Sequence, residues 1–202
     1  MELSLSTWLI PVAGFAVAMS GTPGPNNAML AASGASFGFV RTTPHMLGVA
    51  LGFPLMLLAV ALGAGAPLRA WPWLQSGLRW IGIAYLLWLA WHIARLQPDA
   101  AGPRRRAGRP LSFLQAAAFQ WVNPKAWVAA AGAIVTFVPP GRLQPALLLA
   151  TVFLVVTMVD VALWTAAGAA SARVLTTPRA LRRFNLTMAL LLVASVLPML
   201  LE

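Results

Sequence analysis

Long apolar segments, separated by short polar or basic stretches, dominate this sequence of 202 residues. Most of the segments are about 20 residues long, which is the length that an α-helix needs to cross the roughly 30 Å hydrocarbon core of a bilayer. The pattern therefore predicts an all-α membrane protein with six transmembrane helices. The predicted segments are residues 8–40, 46–66, 75–96, 111–138, 147–170 and 184–201.

The first and fourth segments each contain prolines that an undisturbed helix does not tolerate. The first carries Thr-Pro-Gly-Pro-Asn-Asn at residues 22–27, and the fourth carries Asn-Pro-Lys at residues 123–125. Because proline lacks an N–H group, the carbonyls of Met19 and Gly21 are expected to lose their helical partners. In a bilayer, freed carbonyls are tolerated only where they face protein or a water-filled cavity. Both segments are therefore predicted to be broken helices.

The two breaks also suggest an internal repeat. Residues 25–33 align weakly with residues 124–132, and each break lies in the first segment of a group of three. Three is an odd number of spans, so the two groups must have opposite orientations in the membrane, as in the inverted repeats of transporters. The predicted fold is two inverted three-helix repeats with broken first and fourth helices. The predicted units are residues 1–97, a basic cytoplasmic linker at 98–110, and residues 111–202.

Charge predicts how the segments are oriented. Charged residues make up only 9% of the chain, and the formal net charge is +10. A basic chain can signal nucleic-acid binding, but here the arginines flank the apolar segments, so topology explains them better. The loops after segments one, three and five hold ten arginines and the opposite loops hold three. The positive-inside rule places the ten-arginine side in the cytoplasm and both termini outside. A re-entrant first segment, leaving five spans, is the alternative.

Counting residues from the segment ends places both breaks near the middle of the bilayer. A helix that begins there presents free N–H groups and a positive dipole end, which suit a carboxylate. Lys125 adds a full charge, and Asp160 is the only acid deep in a segment. Three roles are open to Asp160: pairing with Lys125, binding a substrate ammonium group, or carrying a transported proton. The candidate substrate-binding residues are Pro23, Gly24, Pro25, Asn26, Asn27, Asn123, Pro124 and Lys125, with Asp160 as the proton-coupling candidate.

These motifs, together with Gly48 and Gly52 at a spacing suited to helix packing, resemble those of the LysE/RhtB superfamily of bacterial amino-acid exporters. The resemblance covers the whole chain. It implies secondary active efflux of amino acids or close derivatives across the bacterial cytoplasmic (inner) membrane by a multi-pass protein. It further implies that protons drive the efflux by antiport with alternating access, and that the partners are a small-molecule substrate, protons and lipid, with no nucleic acid.

One position departs from that family's pattern. Many relatives carry an acid shortly after the glycine pair, where this chain has Phe53 and Pro54. If that acid serves cation binding or coupling in those relatives, either Asp160 must serve alone in this chain or the coupling differs. A basic substrate such as lysine or arginine is less expected for the same reason.

Two alternative functions are an intramembrane enzyme and a structural membrane protein. An intramembrane enzyme needs a nucleophile with a base, or a metal cluster. With no cysteine and two widely separated histidines, the sequence predicts no enzyme, no metal site and no cofactor. A structural membrane protein with a buried Lys125–Asp160 pair is the remaining alternative.

Overall fold

The computed structural model describes residues 5–66, 70–95, 109–174, 177–197 and 200. In these residues the chain forms eight α-helices and no β-strand. The helices are α1 Leu5–Gly21, α2 Pro25–Phe37, α3 Phe39–Ala59, α4 Pro72–Ala94, α5 Phe113–Phe119, α6 Pro124–Phe137, α7 Leu143–Val174 and α8 Pro178–Ala194. A π-helical turn at Val60–Ala64 extends α3, and a 3-10 turn at Gln120–Val122 leads from α5 towards α6.

Both predicted helix breaks are confirmed. The first apolar segment divides into α1 and α2 at residues 22–24, and the fourth divides into α5 and α6 at Asn123. Pro25 and Pro124 each occupy the first position of the helix that follows the break. At that position the missing N–H costs nothing, because the first N–H groups of a helix have no helical partner. The same prolines that end one helix therefore start the next.

Several predicted boundaries differ from the structure, and the starts of the second and sixth segments show the physical reason. The second segment was expected to begin at residue 46, but α3 begins at Phe39, directly after Gly38, whose φ of 81° turns the chain between α2 and α3. The sixth was expected to begin at residue 184, but α8 begins at Pro178 within the basic stretch. Thr177 accepts a hydrogen bond from the Ala180 N–H group and caps that helix. In both places the helix extends past the apolar run, because caps and tertiary contacts, and not hydropathy alone, fix helix ends.

Three helices of the described chain are long and apolar enough to cross a membrane individually, at residues 39–64, 76–94 and 143–172. Two apolar helices, Thr7–Gly21 and Pro124–Phe137, are shorter because each is one piece of a broken segment. The helical membrane class is thereby supported, and the arrangement of six spans in two inverted repeats stays a prediction.

Helix α7 is the longest helix, and the two pieces of the first broken segment pack along it in succession. Phe15 of α1 meets Phe153 edge-on, with ring centroids 6.3 Å apart. Further along α7, a methyl group on Gly34 of α2 would collide with the carbonyl of Thr165. A methyl group on Gly168 would likewise collide with the backbone of α2. The backbones of α2 and α7 therefore approach so closely that only glycine fits at their crossing.

The second broken segment packs along α3 in a comparable way. A methyl group on Gly48 would collide with the carbonyl of Phe113, and one on Gly52 would lie 2.7 Å from the Cα atom of Ala117. The predicted packing role of this glycine pair is thereby confirmed, with α5 as the partner helix. Each broken segment thus packs along an unbroken helix from the other half of the chain.

Helices α3 and α7 run in opposite directions. Met46 near the start of α3 shares a cluster with Val161, whereas Phe53 lies against Phe153, with ring centroids 5.2 Å apart. Residue numbers therefore rise along one helix as they fall along the other. Arg41, before the first contact, and Arg142, before the start of α7, lie at opposite ends of the bundle as a result.

Candidate functional site

Both helix breaks open onto one cavity of about 50 Å³. A water molecule needs about 10–15 Å³ of such space, so the cavity holds a few waters or the polar head of a small ligand. Its walls come from both breaks and from the middle of α3 and α7. The lining residues are Met19, Ser20, Gly24, Asn26, Asn27, Val49, Phe53, Gln120, Asn123, Lys125, Ala126, Ala129, Phe153, Thr157 and Asp160.

Six of the nine predicted site residues line this cavity, and the three prolines do not. Pro23, Pro25 and Pro124 instead set the course of the backbone, by ending one helix and starting the next. The residues that reach the cavity are Gly24, Asn26, Asn27, Asn123, Lys125 and Asp160.

The Asn27 side chain stabilises the first break. Its amide donates to the carbonyl oxygen of Ser20 at 2.8 Å and to that of Thr22 at 3.2 Å. The expectation from the sequence was that the carbonyls of Met19 and Gly21 would be the freed ones. The Asn27 side chain bonds the carbonyls of Ser20 and Thr22, which are next to those two in the same break. Asn27 is 4% exposed, so these bonds give the buried side-chain amide its hydrogen-bond acceptors.

The two half-helices differ in what their N-termini offer. At α2 the cap is Gly24, which brings no side-chain hydrogen bond, and the first helical bond runs from the Ala28 N–H to the Gly24 carbonyl. The N–H groups of Asn26 and Asn27 therefore have no helical partner. At α6, by contrast, the Asn123 side chain accepts the backbone N–H of Lys125 at 3.1 Å. The prediction of free N–H groups thus fits α2, whereas at α6 a cap occupies the corresponding position.

The Lys125 side chain connects the two breaks. Its ammonium group donates to the carbonyl oxygen of Thr22, 103 residues earlier in the chain. Its methylene stem lies over Gly24, where an added methyl group would come 2.7 Å from the lysine Cδ atom. Glycine at this position therefore makes room for the lysine. A half-buried ammonium with a single carbonyl partner keeps two of its three hydrogen-bond donors for other groups.

Asp160 reaches the cavity from the middle of α7. It interacts electrostatically with Lys125 and with Trp164, which lies one turn further along α7. No direct ion pair joins Asp160 to Lys125 in the part of the chain that the structure describes. The reading in which these two residues form a structural salt bridge is therefore not supported. A positive and a negative group face one cavity while remaining separate.

Three polar lining residues, Ser20, Gln120 and Thr157, were not among the residues predicted from the sequence. Gln120 exchanges two hydrogen bonds with Asn26, at 2.9 and 3.3 Å, and also donates to the Ala116 carbonyl. Thr157 is 6% exposed, and its hydroxyl has no hydrogen-bond partner among the described residues. For Gln120 and Thr157 the available signal was spacing. Gln120 lies three residues before Asn123, and Thr157 lies three residues before Asp160. Residues three apart lie on nearly the same face of a helix or helical turn.

The sequence profile of a protein family described as "LysE type translocator" matches residues 17–200. The cysteine/O-acetylserine efflux protein of Escherichia coli (strain K12) is 36% identical over 119 residues, which are 59% of this chain and 60% of that protein. The Klebsiella pneumoniae protein of the same name is 34% identical over 124 residues, covering 61% and 62%. The alignment thus spans about 60% of the length of these relatives. No solved structure matches the chain.

Proposed function

Because this chain belongs to the LysE type translocator family, as its motifs indicated, we propose that it exports a small amino acid or a close derivative across the bacterial cytoplasmic membrane. The observation that carries this proposal is the placement of Lys125 and Asp160 on one cavity without a direct bond between them. A free amino acid has a carboxylate and an ammonium group a few ångströms apart. A cavity with one cation and one anion complements both.

The carboxylate is assigned to the side of the cavity formed by α2 and Lys125. The uncapped N–H groups of Asn26 and Asn27 and the free donors of the ammonium all favour a negative group there. Asp160 and the Thr157 hydroxyl provide acceptors for the substrate ammonium on the opposite side. Asn26 is held by Gln120, so its amide is already oriented when the substrate arrives.

The cavity also favours a particular class of amino acid. Phe53 lines the cavity, and Asp160 is the one acidic residue among the described lining residues. A lysine or arginine substrate would bring a second cation with no second acid to meet it. Small neutral substrates fit better, and cysteine and O-acetylserine, for which the relatives are named, belong to this class.

The proposed mechanism is proton antiport with alternating access. Two broken helices that meet at one cavity are the usual architecture of a site that opens alternately to the two membrane faces. In support, α1 and α2 follow α7 in succession, near Phe153 and then near Thr165. A through-going broken span has this course, whereas the arms of a re-entrant hairpin would lie side by side. Asp160 is the proposed proton carrier.

Counterflow in proteoliposomes tests the proposed function. Vesicles containing the purified protein and preloaded with unlabelled O-acetylserine should accumulate labelled O-acetylserine transiently from outside. An imposed proton gradient should drive net transport, and a protonophore should abolish the net transport. Vesicles without the protein are the control. Absence of both counterflow and gradient-driven transport for a panel of neutral amino acids would refute the proposal.

The proposed topology has its own test, for which the absence of cysteine in the natural chain provides a clean background. Arg142→Cys should react with a membrane-impermeant maleimide on intact cells, and Arg41→Cys should react only after the cells are opened. The reason is that these two arginines lie at opposite ends of the antiparallel helices α3 and α7, and the arginine-rich end faces the cytoplasm. The reverse labelling pattern would invert the orientation, and labelling of both residues on intact cells would contradict a transmembrane α3.

A further inference from the structure

A second, larger cavity of about 180 Å³ lies between α2, α3, α4 and the chain that precedes α5. It lies towards the end of the bundle that carries Arg41 and Arg95. None of the residues assigned above to the translocation site lines it. Its polar lining residues are Ser33, His45, His92, Arg109 and Gln115.

His45 is the feature of this cavity that calls for a ligand. The residue is 1% exposed, and neither ring nitrogen has a hydrogen-bond partner among the described residues. A neutral imidazole has one donor and one acceptor, and a buried polar group without a partner is unfavourable. Nearly all buried polar side chains in proteins have a partner. A molecule bound in the cavity that His45 lines would supply one.

The charge of the lining indicates the chemistry of that molecule. Arg109 is permanently cationic, the two histidines and Gln115 can donate, and no acidic residue is among the described lining residues. This set contrasts with the first cavity, where Asp160 faces Lys125. A carboxylate suits the second cavity, since an arginine binds it through two parallel hydrogen bonds. An ammonium group has no charged counterpart there, so an amino acid would be held through its carboxylate alone.

The remaining wall is apolar and aromatic. Trp88 stacks on His92 with ring centroids 5.6 Å apart, and Phe37 and Leu89 line the cavity beside them. Such a surface accommodates a short hydrocarbon chain attached to the carboxylate. We propose that this second cavity is a binding site for a small organic carboxylate, with the acid group at Arg109 and the apolar part against Trp88.

Two sources share that chemistry. One is the transported amino acid, captured at the cytoplasmic end before it moves to the first cavity, and this source rests on the proposed function. The other is a separate organic acid that binds without being transported. Both place a carboxylate in the second cavity, and the experiment distinguishes them.

Equilibrium binding of radiolabelled butyrate to the purified full-length chain tests the proposal. Butyrate has the carboxylate and a short chain but no ammonium group, so it matches the second cavity better than the first. Arg109→Gln should weaken butyrate binding at least tenfold, because the charged partner is lost. Arg142→Gln, an exposed arginine at the opposite end of the bundle, should leave binding unchanged. Butyramide, the uncharged analogue of the same shape, should not compete.

Three results would overturn the proposal: no butyrate binding to the natural chain, equal binding by the Arg109→Gln variant, or competition by butyramide as strong as that by butyrate.

A second variant, His45→Gln, should also weaken butyrate binding. If this buried substitution prevents folding, the exposed Arg109→Gln variant still tests the proposal. If O-acetylserine competes with butyrate, the ligand of the second cavity is the transported substrate. If O-acetylserine does not compete, the ligand is a separate organic acid. Both results are consistent with a carboxylate site in this cavity. Butyrate binding is measured without a membrane gradient. Its result therefore tests the second cavity independently of the proposed transport function.

Discussion

Replacing Lys125 with methionine is expected to lower the transport rate at low substrate concentration about ten- to hundredfold while the protein still inserts and folds. Hydrogen bonds to charged groups are worth about 1.5–3 kcal/mol, and each 1.4 kcal/mol corresponds to a factor of ten. The fold should persist because the Asn123 cap holds the Lys125 backbone N–H independently of the side chain. Methionine also removes a charge whose insertion near the bilayer centre costs about 2.5–3.5 kcal/mol.

Initial rates of counterflow in proteoliposomes measure this effect, with circular dichroism and gel filtration as checks on folding. Lys125→Arg should restore transport only in part, because a planar guanidinium does not replace a compact ammonium group. The space over Gly24 is also already filled by the lysine stem. Arg142→Gln is the matched control for loss of a positive charge elsewhere. Normal transport by the methionine variant would exclude Lys125 as a substrate ligand, and failure to fold would assign it a structural role.

Asp160→Asn is expected to abolish uphill export while substrate exchange between equal concentrations continues. Asparagine imitates the protonated carboxyl group but cannot release a proton. Exchange requires only that the loaded carrier reorient, whereas uphill export also requires the carrier to return a proton to the cytoplasm. At a membrane potential of 100 mV, one inward charge supplies about 2.3 kcal/mol, which sustains about a fiftyfold gradient of a neutral substrate. The Asp160→Asn variant should therefore fail to sustain a substrate gradient of that size.

Proteoliposomes with an imposed gradient, and the same vesicles at equal internal and external substrate, give the two measurements. Asp160→Glu keeps a titratable group and should retain part of the uphill transport. If Asp160→Asn still exports against a gradient with an unchanged pH dependence, Asp160 is not the coupling residue. If exchange and uphill export disappear together in a folded protein, the carboxylate binds the substrate ammonium group instead.

Much of the site could be predicted because its strongest signals are local. A proline cannot complete a helical hydrogen bond wherever it lies, so the breaks at Pro23–Pro25 and Pro124 follow from the sequence alone. A lysine and an aspartate within apolar segments are costly in lipid, so the sequence alone indicates that Lys125 and Asp160 are functional.

Other parts of the site depend on contacts between distant residues. The exchange of hydrogen bonds between Asn26 and Gln120 joins residues 94 positions apart, and no periodicity of the chain reports it. The bond from the Lys125 ammonium to the Thr22 carbonyl is equally non-local. Thr157 gains importance only because α7 turns that face towards the two breaks. The second cavity also depends on distant residues, since His45 belongs to α3 and Arg109 to the chain that precedes α5.

The sequence by itself thus determined the helical membrane class, the two breaks, and the family to which the motifs point, because hydropathy, proline chemistry and charge act along the chain. Only the tertiary structure decided that Lys125 and Asp160 share a cavity without pairing. It also decided that the Asn27 side chain bonds carbonyls in the first break, whereas Asn123 caps α6. The close contact between α2 and α7, which requires glycine, was likewise decided by the tertiary structure. The physical reason is that packing distances and hydrogen-bond partners are fixed by how helices cross. The crossing depends on side-chain shapes from residues more than a hundred positions apart.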